Sequence, residues 1–406
     1  MKKSRSSLTT RQYLVPFVLI TTLFFLWGFA RAILDVLNKH FQNTLDISIT
    51  QSALIQVTTY FGYFLMAIPA GMFINRHGYR RGVVFGLLLF AVGALSFIPA
   101  EGFGFYGFLV GLFVIGCGLT FLETAANPYS TELGPKETAS SRLNLSQTFN
   151  GMGCFMATLL VGQFLFSGEG GGESGSVVVP YAVMGIVVLI IAAVFSRVQL
   201  PEISHDDESA QERKDAVSGG VAALLRNRLF LFGLLALLAY EVAEISINSY
   251  FVNFVTSEGW MSDLDASRII SLALVIFMVG RFVGSWVMRY MRAEALLAWC
   301  AAGTVACMMI VLLDVGRISV VALVMNYLFE AIMFPTIFSL AVRDLGNLTK
   351  SASSLLMMTP IGGCAFLLMG YMADHSNSVL PFVLPLVGYA VVLAYALRMV
   401  KNTKAE

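Results

Sequence analysis

The sequence predicts an all-α integral membrane protein, with twelve transmembrane helices in two pseudo-symmetric six-helix bundles, and three observations carry that prediction. The 406 residues are 57% hydrophobic and only 13% charged, with a mean hydropathy of +0.77, where a soluble domain carries about 25% charged residues. Apolar runs of bilayer-crossing length follow one another from residue 14 to residue 398. One long polar segment, residues 197–228, interrupts them midway. A soluble enzyme and a disordered chain are excluded by the hydropathy. A nucleic-acid binder is excluded by the balance of 26 Lys and Arg against 25 Asp and Glu, which lacks the basic excess that phosphate backbones require.

Helix 1 is expected over 14–38, behind Lys2, Lys3, Arg5 and Arg11. No small-residue cleavage site follows the apolar stretch, so it reads as a first span rather than a signal peptide. Helices 2 to 6 are expected at 51–75, 82–100, 104–130, 143–167 and 177–196. The polar segment then brings the charged run HDDESAQERKD, His205 to Asp215, and sets domain boundaries at 1–197 for the first bundle, 198–228 for a linker and 229–406 for the second bundle. Helices 7 to 12 are expected at 229–256, 266–288, 293–313, 317–342, 353–373 and 378–398.

Alternating the loops from a cytoplasmic N-terminus puts 21 Lys and Arg on the cytoplasmic side against 3 on the other, with Arg31 and Arg281 left within helices. By the positive-inside rule both termini and the central segment are cytoplasmic, in a multi-pass plasma-membrane protein, a bacterial inner membrane being the expected setting. The five cysteines fall inside apolar runs and are odd in number, so they imply no disulfide framework. The glycine cluster at 168–172 has no strand or lysine beside it, so it is no phosphate loop.

The halves echo each other. Helix 4 carries ETAANP from Glu123 to Pro128 and helix 10 carries EAIMFP from Glu330 to Pro335, each with glutamate five residues before proline. Helix 5 has QTFNG from Gln147 to Gly151, and helix 11 has MTPIG from Met358 to Gly362. Repeated bundles with a site near the midplane are a common plan for transporters.

An ionisable group at bilayer depth costs at least a few kcal/mol, so each one is a candidate functional residue. Asp35 and Arg31 stand one turn apart on helix 1, where Asp35 either exchanges a coupling proton or cation or forms a structural ion pair with Arg31. Glu123 lies mid-helix with no basic residue within a turn, so a proton, an ion or a distant partner such as Arg31 must neutralise it. Glu241, Glu244 and Asn248 make a polar stripe on helix 7, and two carboxylates that close together cannot both ionise cheaply. Glu244 is the favoured member. Glu330 is placed either in the cavity or in a structural hydrogen bond. Gln147 and Asn150 share a face of helix 5 and offer the paired donors and acceptors that a polyhydroxylated neutral ligand needs. Asn127, in the helix 4 motif, and Trp27, which could stack on a sugar ring, complete the substrate-contact candidates. No metal-ligand spacing or catalytic triad is present in the sequence.

Between helices 2 and 3, GMFINRHGYRR from Gly71 to Arg81 resembles the signature loop of the major facilitator superfamily, with Asn75 where an acidic residue is usual. The stretches FFLWGFARAILD (Phe24 to Asp35), YFGYFLMAIPAG (Tyr60 to Gly71), FLETAANPY (Phe121 to Tyr129), RLNLSQTFN (Arg142 to Asn150), GRF (Gly280 to Phe282) and MFPTIFSL (Met333 to Leu340) resemble the fucose permease and glucose/galactose transporter family of sugar symporters within that superfamily. The resemblance implies that Asp35 and Glu123 are the coupling acids and that Gln147 and Asn150 contact sugar. VAEIS, Val242 to Ser246, is similar to the glucose/galactose branch, which implies a hexose. Arg31 and Ala32 replace asparagines usual in fucose permeases, and Glu330 stands where asparagine is common.

The expectation is therefore a secondary active importer of a monosaccharide by cation symport through alternating access, with protons as the expected coupling ion. A sodium-coupled symporter or an uncoupled facilitator is the alternative, and a sugar-sensing receptor the remote one. It implies no enzyme activity, no cofactor beyond the coupling H+ or Na+, no nucleic acid and a monomer in the lipid bilayer.

Overall fold

The structure, a computed structural model, describes residues 9–134, 139–166, 177–198, 223–257, 261–288, 290–343 and 355–405, together with Gly259, Leu345, Leu348 and Ala352. The charged run 205–215 and the glycine cluster 168–172 lie outside the described residues. Among those described, every regular element is helical, and eleven helices are long and apolar enough to cross a membrane.

In chain order, helix 1 is Leu14–Leu45, helix 2 is Ile49–Ser52 followed by Leu54–His77, helix 3 is Tyr79–Leu95 with a short turn Phe97–Ala100, and helix 4 is Gly104–Glu132. Helix 5 is Ala139–Phe166, helix 6 Val178–Arg197, helix 7 Arg228–Thr256, helix 8 Asp263–Val287 and helix 9 Ala293–Leu312. Helix 10 comes in two pieces, Arg317–Glu330 and Met333–Ala341. Helix 12 is Val383–Ala405 behind a short 3-10 turn, Leu380–Phe382.

Helix 11 departs from the continuous span expected over 353–373. It holds a 3-10 stretch, Thr359–Ala365, and an α-helix of ten residues, Phe366–His375. The cause is local: Pro360 has no N–H to give to the helical ladder, and Gly362 lies so close to helix 7 that a Cβ there would stand 2.9 Å from the Val242 nitrogen. Hydropathy alone sees an apolar run; the backbone sees a break.

The chain divides into two compact units. One contains Met1–Leu34 and Phe61–Ser204; the other contains Asp35–Tyr60 and His205–Glu406. In the first unit helices 1 and 5 pack backbone to backbone. Gly28 has the Asn150 carbonyl where a Cβ would go, and Gly153 has that of Phe25. Such close approach of small residues is how membrane helices gain packing without a hydrophobic driving force between them. In the second unit a core of Phe230, Leu237, Tyr240, Phe251, Met308, Leu323, Tyr327 and Tyr389 is sealed among helices 7, 9, 10 and 12.

Candidate functional site

Helix 4 runs unbroken through its glutamate and proline, Gly104–Glu132, so Glu123 projects from a continuous helix within the first unit. The side chain is partly exposed. Its Oε1 accepts a hydrogen bond of 2.9 Å from the hydroxyl of Tyr63 on helix 2, and Arg31 of helix 1 acts on it electrostatically. One helix contributes the acid, a second a hydroxyl and a third a guanidinium. The carboxylate is thus held by one hydroxyl donor and a nearby cation.

The other candidates of this unit are placed separately. Gln147 is partly exposed. Asn150 uses its Nδ2 to donate to the Phe24 carbonyl at 3.1 Å, so one of its functions is to staple helix 5 to helix 1. Asn127 keeps a buried Oδ1 with no hydrogen-bond partner among the described residues, an acceptor awaiting a donor. Trp27 is 3% exposed and packs on Phe24 with ring centroids 4.1 Å apart; the structure uses its ring as core.

Asp35 belongs to the second unit, where its Oδ1 accepts a 2.9 Å hydrogen bond from Ser249 of helix 7. Ser249 in turn accepts from Gln56 Nε2 at 2.9 Å. The chain Gln56–Ser249–Asp35 ties the acid of helix 1 to helix 7 through one hydroxyl. A little further along helix 7, Asn248 Nδ2 donates to Glu244 Oε1 at 3.3 Å and its Oδ1 accepts from Tyr327 at 2.6 Å. Glu244 and Asn248 are both partly exposed, whereas Glu241 is 1% exposed.

Glu330 ends the first piece of helix 10 and is also 1% exposed. Its Oε2 accepts from Tyr389 of helix 12 and, at 2.9 Å, from Asn326 Nδ2. The break that follows it has a clear origin. Pro335 has no N–H for the carbonyl four residues back, that of Ala331, and Arg281 of helix 8 fills the vacancy with its Nε at 3.2 Å.

Asp35, Glu123, Glu244, Asn248 and Glu330 thus each have polar partners within their own unit. Tyr63, Gln56, Ser249, Asn326, Tyr327 and Tyr389 are partners that sequence reasoning did not name. For Gln56 and Asn326 a signal existed, since each is an amide inside an apolar run and its burial demands a partner.

The model of the Major Facilitator Superfamily matches residues 20–367. A glucose/galactose transporter of Brucella abortus biovar 1 (strain 9-941) is 34% identical over 386 residues, 93% of this chain and 92% of the relative. The L-fucose-proton symporter of Escherichia coli (strain K12) is 34% identical over 411 residues, 95% of this chain and 93% of the relative. A crystal structure of a variant of the E. coli fucose:proton symporter superposes with a TM-score of 0.74 at 33% identity, covering 95% of this chain and 98% of that one. A D-xylose-proton symporter structure, 14% identical with a TM-score of 0.73 over 94% of this chain and 96% of that one, shares the fold.

Proposed function

The chain belongs to the Major Facilitator Superfamily, and from that premise we propose that it imports a monosaccharide, a hexose such as glucose or galactose, by proton symport through alternating access. It is a multi-pass membrane protein of a transporter family; that it has no enzymatic activity, acts as a monomer and holds both termini in the cytoplasm belongs to this proposal. So do its halves, 1–197 and 229–406 joined by 198–228.

The observation that carries the reading is the environment of Glu123. A sodium ion needs several oxygen acceptors turned towards it. Glu123 instead faces a hydroxyl donor, Tyr63, and the positive charge of Arg31, surroundings suited to exchanging a proton. Asp35 is the second coupling acid, and its hydrogen bond to Ser249 gives its protonation a direct grip on helix 7. A charged carboxylate is expensive to carry through an occluded state. Protonation removes that cost, and so links proton binding to reorientation of the loaded protein.

Sugar hydroxyls are both donors and acceptors, and groups of both kinds stand partly exposed or unfilled. Asn127 offers its free acceptor. Gln147 offers a neutral amide, while Glu244 and Asn248 give a paired acceptor and donor on helix 7. Asn150 and Arg31 set the frame, one fixing helix 5 against helix 1 and the other balancing Glu123. Trp27, buried against Phe24, stiffens helix 1.

The test is uptake of a labelled panel of glucose, galactose, mannose, fucose and N-acetylglucosamine into proteoliposomes under a pH gradient and, separately, a sodium gradient. Overshoot above equilibrium driven by the pH gradient alone is expected for at least one hexose. Equilibration that ignores both gradients would reduce Asp35 and Glu123 to binding-site architecture, and overshoot with sodium alone would overturn the proton assignment.

A further inference from the structure

Glu330 is a buried ionisable group that the symport cycle above leaves unused. Three hydrogen bonds close it into a triad: Tyr389 donates to Oε2, Asn326 Nδ2 donates to the same oxygen at 2.9 Å, and that Nδ2 also donates to the Tyr389 hydroxyl at 2.9 Å. The triad owns three polar hydrogens, one on the tyrosine and two on the amide, and all three are spent in these bonds. Two acceptors are left over. Glu330 Oε1 receives no hydrogen bond among the described residues, and Asn326 Oδ1 is fully buried with no partner. An ionised carboxylate accepts on both oxygens; an un-ionised one accepts on its carbonyl oxygen and donates from the other. The arrangement suits the acid: Oε2, as its carbonyl oxygen, takes both donors, and Oε1 is left for the proton.

The surrounding charges lead to the same place. Glu244 of helix 7 and Arg281 of helix 8 act on Glu330 electrostatically, Cys307 of helix 9 and Tyr327 of helix 10 sense it, and Tyr240 of helix 7 senses Glu241, Glu244, Glu330 and Arg281 together. Tyr327 senses Asp35 as well, so four carboxylates act in this interior against one guanidinium. That guanidinium donates to the Ala331 carbonyl and lies 4.6 Å over the ring of Phe277. The excess of negative charge favours protonation, and burial makes a charge most costly at the members sealed from water.

We propose that Glu330 is a proton-binding site of the second unit, separate from Asp35 and Glu123, which holds a standing proton that is not carried with the sugar. The proton sits on Oε1, the carboxyl oxygen that takes none of the triad's hydrogen bonds. Loading is protonation of the carboxylate and unloading its reversal, with bulk water as source and sink. The site rests on the symport reading only in its transport readout.

The experiment takes the full chain in lipid and records infrared difference spectra between neutral and alkaline pH. The wild type is expected to lose a carbonyl band of an un-ionised carboxylic acid on alkalinisation. Glu330→Gln loses that signal from the difference spectrum, and a variant carrying both Asp35→Asn and Glu123→Gln retains it. Tyr389→Phe, which removes one donor from Oε2, shifts the frequency of the band without abolishing it. In proteoliposomes Glu330→Gln, whose amide is permanently un-ionised, retains accumulation under a pH gradient. A band that persists unchanged in Glu330→Gln would overturn the proton site, and so would loss of accumulation in that variant with sugar exchange intact. If the wild type itself fails to accumulate sugar while the band behaves as described, the proton site stands and the symport reading falls.

Discussion

Glu123 and Glu330 begin from the same sequence pattern, a glutamate five residues before a proline, and each accepts a hydrogen bond from a tyrosine of another helix. Their surroundings then diverge. Glu123 is partly exposed, on an unbroken helix, with Arg31 acting on it. Glu330 is 1% exposed at a helix break, with both of its hydrogen-bond donors aimed at one oxygen. The repeat fixes where a carboxylate sits along a helix; the neighbouring helices decide whether its proton can be exchanged during transport. A guanidinium acts on each acid, Arg31 on Glu123 and Arg281 on Glu330, so exposure rather than counter-charge separates the coupling acid from the standing one.

The contrast can be broken most sharply by neutralising each acid in turn. Glu123→Gln is expected to abolish accumulation, collapsing a coupling of about 5–150-fold while sugar exchange down its gradient continues; accumulation and exchange in proteoliposomes measure the two. Intact accumulation in that variant would remove Glu123 from the coupling role. Truncation reverses the ranking, because what counts there is burial. Glu330→Ala leaves the Tyr389 hydroxyl without its acceptor, takes one of the two acceptors of Asn326 Nδ2 and opens a cavity in a closed core. It should cost about 2–5 kcal/mol, read as a fall in the detergent melting temperature. Glu123→Ala, partly solvated, should cost far less by the same measurement.

A smaller effect tests the link from Asp35 to helix 7. Ser249→Ala removes one hydrogen bond to a carboxylate, worth about 1.5–3 kcal/mol before solvent is allowed for at the partly exposed acid. Because Gln56 Nε2 also loses its acceptor, the melting temperature should fall as the pH profile of uptake shifts, and an unchanged profile would detach Ser249 from coupling.

The smallest effect comes from an exposed acid that acts as a control. Asp374, beyond the apolar run of helix 11, accepts from the backbone N–H groups of Ile49 at 3.1 Å and Thr50 at 2.8 Å. Burial works against its charge, but the donors of Thr50, Ile49 and Ser48 more than offset it and hold the carboxyl below its usual range. A lowered carboxylate contributes stability above the ordinary carboxylate range and loses it as pH falls through the folded value. Being exposed to solvent, it should contribute only about 0.5–1 kcal/mol. Protection of the Ile49 and Thr50 amides, relative to the unprotected exchange rate at each pH, should therefore fall in acid in the wild type, and Asp374→Asn should show the reduced protection at every pH. Glu330, by contrast, is expected to fail in alkali.

Most of the fold was legible in the sequence because hydropathy reports which side chains tolerate lipid, and eleven of the twelve expected spans stand as helices of sufficient length. The breaks in helices 10 and 11 were not legible by that measure. They arise from missing N–H groups at Pro335 and Pro360, and an apolar proline raises no flag in a hydropathy sum. The acids of the site were legible for the converse reason, since a charge in an apolar run is conspicuous. Their partners were not: Tyr63 lies 60 residues from Glu123 and Ser249 lies 214 from Asp35, and tyrosine and serine are ordinary occupants of membrane helices. Asn326 and Gln56 could have been suspected, but not paired, before helix neighbours were known.

The second unit is discontinuous in the chain: Asp35–Tyr60 joins it from within the stretch that otherwise builds the first. A ribosome delivers this segment long before the helices it packs with, so it must wait while nearly the whole first unit is made. Closing so long a gap adds little entropic cost by itself, yet it leaves the Ile49 and Thr50 amides and the carboxylate of Asp35 without their native partners during synthesis, which is when chaperones and insertion machinery are needed most. Assembly should consequently finish only after Asp374 has been translated, and a chain cut in the central segment and expressed as two pieces should reassemble more slowly than the continuous protein matures.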